Sequence, residues 1–282
     1  GSARKEEPMP ILTISRGSLS GGRALAERLA DRLGYQCISS EALIEAAAKY
    51  GVPEPKLSAV FAKTPSFWER LTKSRRLYLI FIQAAMCELA QQGKLIYHGQ
   101  GGQQLLKGIS HVMKVRLIAP LDYRIKIAMQ REGLASREAA VQYLQQVDEE
   151  RLRRMRYLFN VDWRDPALYD VVLNIEHMSL ETAADVVIYM AQHPEYQPTP
   201  ASEKKLNDLT LSCRIKASLA ANPMTSGIDV DVRTDDGIVW MSGLIDSGEL
   251  EYEIIHIAQM VPGVKEVISD LEIKPIFPYP GP

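Results

Sequence analysis

The most constraining segment of the chain is its first regular stretch. The β-rich run Ile11 to Ser15 leads into Arg16-Gly-Ser-Leu-Ser-Gly-Gly-Arg23, and Ala24 to Leu33 follows with the composition and periodicity of a helix. A strand, a glycine-rich turn and a helix in that order let several backbone N–H groups converge on an anion at the positive end of a helix dipole. Gly17 and Gly22 stand at the GxxxxGK[ST] spacing, with Arg23 in the lysine position and Ala24 in the Ser/Thr position. Arginine keeps the charge but spreads it over a planar fork. Alanine removes the usual hydroxyl ligand of Mg²⁺, which leaves any metal to phosphates and water. A tight strand-to-helix connection that merely needs glycines gives the same pattern, so the turn alone leaves both readings open.

Downstream, the short runs Gln36 to Ile38, Leu95 to His98, Met113 to Ile118 and Val171 to Leu173 alternate with helical patterns, the signature of a parallel α/β sheet. Leu77 to Leu89 reads as a buried helix, because it is interrupted by Gln83 and Glu88 and is too short to span a bilayer. Prolines 194, 198 and 200 mark a linker, giving domains at 9–192 and 204–275, a linker at 193–203 and a proline-rich tail at 276–282. A net charge of -2 over 282 residues opposes nucleic-acid binding by bulk electrostatics. Cys37, Cys87 and Cys213 are widely spaced and odd in number, which suits a reducing compartment, with cytoplasm the default. Gly1-Ser2 reads as an expression scar, and no signal peptide or membrane span is expected.

Beyond the linker, Leu206 to Ala221 reads as an amphipathic helix with Leu209, Ile215 and Leu219 on one apolar stripe. Ile228 to Arg233 and Val239 to Ser242 flank Asp235-Asp236-Gly237 as a hairpin. A helix over Leu250 to Met260 and a strand over Val264 to Ile273 complete a small α+β module.

The first domain resembles the cytidylate-kinase-like branch of the P-loop nucleoside monophosphate kinases. The resemblance rests on Ile11 to Arg16 and Ser20-Gly-Gly-Arg23, Leu29 to Gly34, Ile96-Tyr-His-Gly-Gln-Gly-Gly102, Val115 to Pro120 with Arg124, Gln146 to Arg151, Asp162-Trp-Arg-Asp-Pro and Tyr169 to Asn174. It implies a P-loop α/β fold with a parallel sheet flanked by helices. It also implies transfer of a γ-phosphoryl group from ATP, with Mg²⁺, to an acceptor such as CMP. Arg16, Gly17, Ser18, Ser20, Gly21, Gly22 and Arg23 would cradle the donor. Arg23, Arg124, Asp148 and Arg151 would carry the chemistry, with Asp148 orienting Arg151. Ser39, Gln100, Arg131 and Arg154 would face the acceptor. On residues alone, the run from Asp148 to Arg156 is equally a solvated helix whose charges pair locally.

Two positions depart from the family pattern. Ser39 stands where an acidic residue usually orients the acceptor, and Gln100 replaces the arginine of a Gly-Arg-Gly turn, exchanging a charge-assisted contact for a neutral one. Restoring both is expected to raise use of CMP. His98 beside that turn is either a functional acid or base or a buried, hydrogen-bonded side chain. Leu206 to Lys274 resembles the BON domain through Ile228-Asp-Val-Asp-Val, Gly237 to Gly243 and Val261 to Val267. That resemblance implies an interaction module, for a protein partner or self-association. Two activities remain open: a nucleotide-dependent kinase, and a nucleotide-binding pseudokinase that signals through the second module.

Overall fold

The computed structural model describes residues 10–17, 19–61 and 68–275, with side chains over 68–76 excepted. Ser18, the opening Gly1-Ser2 and the tail beyond residue 275 lie outside the described residues, as does the side chain of Trp68.

Five parallel strands form the first sheet: β1 (Ile11–Arg16), β2 (Gln36–Ser39), β3 (Leu95–His98), β4 (Val112–Ile118) and β5 (Val171–Asn174). Their order is β2-β3-β1-β4-β5. The first strand thus sits in the middle, with β3 on one side and β4 on the other. Its burial on both faces takes in Thr13 and Ser15 along with Ile11, Leu12 and Ile14. Between the strands lie α1 (Gly22–Leu33), α2 (Ser40–Ala47), α3 (Glu54–Ser58), α4 (Trp68–Gln91), α5 (Gly102–Leu105), α6 (Leu121–Glu132) and α7 (Arg137–Phe159), with α8 (Leu180–Ala191) after β5. One core packs α1 and α8 on one face of the sheet through Leu25, Leu29, Ala184 and Val187. The other packs α2 and α4 on the opposite face through Leu43, Phe81, Ile82 and Met86. The expected strands all form, and Leu77 to Leu89 lies within α4.

The second sheet has order β6-β7-β8, from β6 (Asp231–Asp235), β7 (Ile238–Ile245) and β8 (Glu266–Ile273), antiparallel at the hairpin and parallel at β7 and β8. Asp236 and Gly237 both take positive φ, 50° and 85°, as the two-residue hairpin requires. It packs on α9 (Pro200–Ala221) and α10 (Gly248–Gln259).

Helix α9 differs from the sequence expectation in two ways. It begins at Pro200 rather than Leu206, because proline at the first helical position costs no hydrogen bond and Thr199 and Ser202 form a reciprocal capping box. It also has two apolar faces instead of one stripe. Leu211, Ile215 and Leu219 enter the core of the second module. Leu206, Cys213, Ala217 and Ala220 enter the same core as α4, with Leu209 packed at its margin. Across this seam Arg214 Nε lies 2.9 Å from Glu88 Oε1, Gln91 Nε2 2.8 Å from Asn207 Oδ1, and the Sγ atoms of Cys87 and Cys213 are 3.8 Å apart.

Candidate active site

The glycine-rich turn is held from below. Gly17 N–H donates to the Leu117 carbonyl at 3.2 Å, and Ser20 Oγ lies 2.8 Å from the Gly17 carbonyl and 3.1 Å from that of Leu117. Leu19 sits at φ 60°, an uncommon conformation for leucine, and packs against Ile125, Ala128, Ala140 and Leu144 of α6 and α7. Gly21, at φ 82°, begins α1 without any side-chain cap. The backbone donors of the first turn of α1 are therefore left for an anion. Gly22 is required for a separate reason: a Cβ there would fall 2.6 Å from the Cβ of Arg16, whose side chain crosses the start of the helix.

Two clefts reach this turn. The larger, about 550 Å³, is lined by Arg16, Arg131, Arg151 and Arg154 together with Glu41 and Gln100. The smaller, about 150 Å³, is lined by Gly17, Arg116, Arg124, Asp148, Trp163 and Arg164. Arg151 ties helix α7 to the turn: it donates to the Arg16 carbonyl and, at 3.3 Å, to Ser15 Oγ, and stacks on Trp163 with its guanidinium carbon 4.2 Å from the ring centroid. Arg116 lies over another part of the same aromatic wall, 5.0 Å from Trp163 and 5.7 Å from Tyr169.

The electrostatics of the site favour an anion. Burial lowers the pKa of Arg151 to about 10, and burial also leads the lowering at Arg16 and Arg116. At Arg16 the neighbouring Arg131 and Arg23 add to the effect while Glu41 opposes it. Buried Nε atoms of Arg116 and Arg151 and Nε1 of Trp163 have no hydrogen-bond partner. Guanidiniums stripped of water and crowded by like charge gain from a bound polyanion.

The expected site residues divide between these surfaces. Arg16, Gln100, Arg131, Arg151 and Arg154 converge on the larger cleft, and Gly17, Arg124 and Asp148 on the smaller. Asp148 accepts from Arg124 Nη2 at 2.7 Å, so the carboxylate expected to orient Arg151 takes a partner on α6. Arg23 lies on the outer face of α1, its side chain 70% exposed and paired with Glu27 at 2.7 Å. Ser39 caps α2, its Oγ accepting from Ala42 N at 3.2 Å. His98 is buried at the end of β3, its Nδ1 without a partner and its pKa lowered, chiefly by burial. Arg116, Trp163 and Arg164 join the site without having been singled out. Their only sequence signal is that they lie inside two of the segments that carry the resemblance.

The profile of the cytidylate kinase-like family matches residues 11–177, and that of the BON domain matches 207–275. A cytidylate kinase of Methanopyrus kandleri is 26% identical over 178 residues, covering 60% of this chain and 86% of the relative. One from Ignicoccus hospitalis is 25% identical over 180 residues, covering 64% and 97%. Among solved structures, an uncharacterized protein from Eubacterium ventriosum superposes with a TM-score of 0.51 at 21% identity, covering 64% of this chain and 97% of its own, which supports the fold. With the family profile spanning more than half its length, the chain belongs to the cytidylate kinase-like family and carries a BON domain behind the kinase-like fold.

Proposed function

We propose that the protein is a nucleoside-monophosphate-kinase-like phosphotransferase that moves the γ-phosphoryl group of ATP, or a similar donor, to CMP or a related acceptor. The observation that carries this reading is the meeting of two arginine-lined clefts at one glycine-rich turn, with Arg16 in the larger and Gly17 in the smaller. In-line transfer needs donor and acceptor on opposite sides of the migrating phosphoryl group, and positioning plus charge neutralisation supply most of the catalysis. The donor polyphosphate would lie on the uncapped start of α1, beside Gly17 and Arg124. The acceptor would lie among Arg16, Arg131 and Arg154. An acceptor phosphate oxygen then bonds to the γ-phosphorus as the bond to the β–γ bridging oxygen breaks and ADP leaves.

ATP fits this environment, since the loop offers backbone donors and burial strips water from the guanidiniums of Arg16, Arg116 and Arg151. Mg²⁺ would supply charge neutralisation at the phosphates and would lack the usual hydroxyl ligand: position 24 has none, and Ser20 Oγ is turned to two carbonyls. Cytoplasmic location belongs to the same proposal. The test is to incubate the protein with ATP, Mg²⁺ and each nucleoside monophosphate and follow all phosphorus signals. New diphosphate signals support the reading, and an unchanged spectrum across the panel overturns it.

One observation favours a second reading, that bound nucleotide is reported through the BON domain to a partner or a second copy. Helix α4, which packs against the acceptor side of the sheet, shares a core with α9. Reciprocal coupling requires nucleotide affinity to change when the BON domain is removed. Ligand should then also alter amide exchange within residues 206–274, and no response there rejects this reading.

A further inference from the structure

Position 100 lies in the turn between β3 and α5, whose backbone is fixed from two sides. On one side the Tyr97 hydroxyl donates to the Gln100 carbonyl at 3.0 Å and lies 3.0 Å from Ser40 Oγ, which accepts from Gln100 N at 3.4 Å. Gly99 fits only because it lacks a side chain: a Cβ would fall 2.6 Å from the Tyr97 hydroxyl and closer still to Ser40 Oγ. On the other side Gly101, at φ 74°, presses on α7, where a Cβ would sit 2.9 Å from Phe159 Cε2. The Gln100 side chain therefore projects from a rigid turn toward a helix that the same turn abuts. There its Oε1 accepts from Arg154 Nε at 2.8 Å. Arg154 is only 3% exposed, yet it lines the larger cleft.

We propose that Gln100 is a positioning residue, which fixes the plane of the Arg154 guanidinium so that it receives the phosphate of a phosphate-monoester acceptor. This inference rests on the kinase reading of the site and adds a division of labour to it. Holding a guanidinium through Nε restricts its rotation without neutralising it. A carboxylate at position 100 would cancel the charge, and a guanidinium there would repel Arg154, Arg16 and Arg151. A neutral amide preserves the balance of the cleft, four arginines against Glu41 and Glu132, an excess of two positive charges. That excess matches a phosphate-monoester dianion. Gln100 is therefore a substitution that passes the contact to Arg154, and restoring an arginine at 100 is not expected to improve acceptor use.

The test compares wild type with Gln100→Met, Gln100→Arg, Arg154→Lys and the double variant Q100M/R154K. CMP and the other nucleoside monophosphates serve as acceptors, with cytidine as the control lacking the phosphate. Gln100→Met keeps the length and removes the hydrogen-bond acceptor. It should raise the acceptor KM about tenfold, the lower end of losing a hydrogen bond to a charged group, and leave the donor KM within about twofold. The effects of Gln100→Met and Arg154→Lys should be less than additive, since both act on one guanidinium. The Arg154 Nε–H resonance should shift and broaden in Gln100→Met without loss of Tm. Gln100→Arg should bind acceptor no better than wild type. An acceptor KM unchanged in Gln100→Met, additive effects, or a gain in Gln100→Arg, in an enzyme that turns over, overturns this inference alone. A wild type that phosphorylates no monophosphate overturns the kinase reading and this inference with it.

Discussion

Arg214 of the BON domain and Glu88 of the kinase-like domain meet at 2.9 Å, in a pocket where Glu88 also accepts from the Tyr50 hydroxyl at 2.9 Å and from Lys49. Burial pushes the Glu88 carboxyl up, but the hydrogen bonds from Lys49, Arg214 and Tyr50 outweigh it and hold the pKa below its usual value. A depressed carboxylate stabilises the fold above its unfolded pKa of about 4.3, and that contribution is lost as pH falls through the folded value. Glu88→Gln is therefore expected to cost on the order of 2 kcal/mol at pH 7 and to flatten the fall in stability below about pH 4.3. Urea unfolding at pH 7 and pH 4 measures both. Parallel pH profiles for the two proteins would refute the assignment.

Shortening the chain after His193 tests how far the two domains depend on each other. The sequence alone places a break in the proline-rich stretch. Leu206, Cys213, Ala217 and Ala220 nevertheless belong to the core built on α4, so their removal uncovers Ala84, Cys87 and their neighbours. The shortened protein should melt at least 5 °C lower, a shift of roughly 1–2 kcal/mol for a domain of this size. Calorimetry decides it, and an unchanged melting temperature would mean that the seam contributes nothing to the fold.

The turn at Gly99 makes a sharper prediction. Gly99→Ala introduces a methyl that the Tyr97 hydroxyl and Ser40 Oγ leave no room for. Overpacking at such a site is expected to cost about 1–3 kcal/mol. Because the turn carries Gln100, the acceptor KM should rise as well. Adding Ser40→Gly relieves the nearer contact and should return part of both losses. A Gly99→Ala protein as stable and active as wild type would show that the turn is looser than its geometry.

Arg151 joins α7 and the turn through donors in a plane and through its face on Trp163, so charge alone does not replace it. Arg151→Lys should lower ATP affinity by tenfold or more, about 1.4 kcal/mol. The thermal shift that ATP produces in wild type should shrink with it. The same shift measured in Arg23→Ala gauges how far Arg23, held by Glu27 on the outer face of α1, takes part in donor binding. Full ATP affinity in Arg151→Lys would mean that Arg151 serves only the larger cleft it lines.

Most of the architecture was legible because its signals are local. Ile11 to Arg16 and Val112 to Ile118 are rich in the aliphatic and β-branched residues that suit the middle of a covered sheet, and Asp236-Gly237 announces a hairpin by its required backbone angles. The site was legible as a roster of arginines, but not as a set of pairings. Sequence spacing joins Asp148 to Arg151 three residues on, whereas the fold gives Asp148 to Arg124, twenty-four residues back, because α6 packs against α7. The hydrogen bond from Arg154 to Gln100 spans fifty-four residues. Helix α9 defeated the amphipathic reading for another reason: apolar positions on two sides nearly cancel as a directional signal, so a helix serving two cores resembles one serving neither.

That double service bears on how the chain can be recombined. The BON match opens at residue 207, inside a helix that starts at Pro200. A cassette cut at the matched limits would discard the Thr199 cap and leave Leu206 behind. It would also carry Cys213, Ala217 and Ala220 into a host with nothing shaped to cover them. The inheritable unit is thus longer than the recognisable one, and drift in α9 is answerable to two neighbours at once: a larger side chain at Ala217, invisible to the BON sheet, would be vetoed by α4.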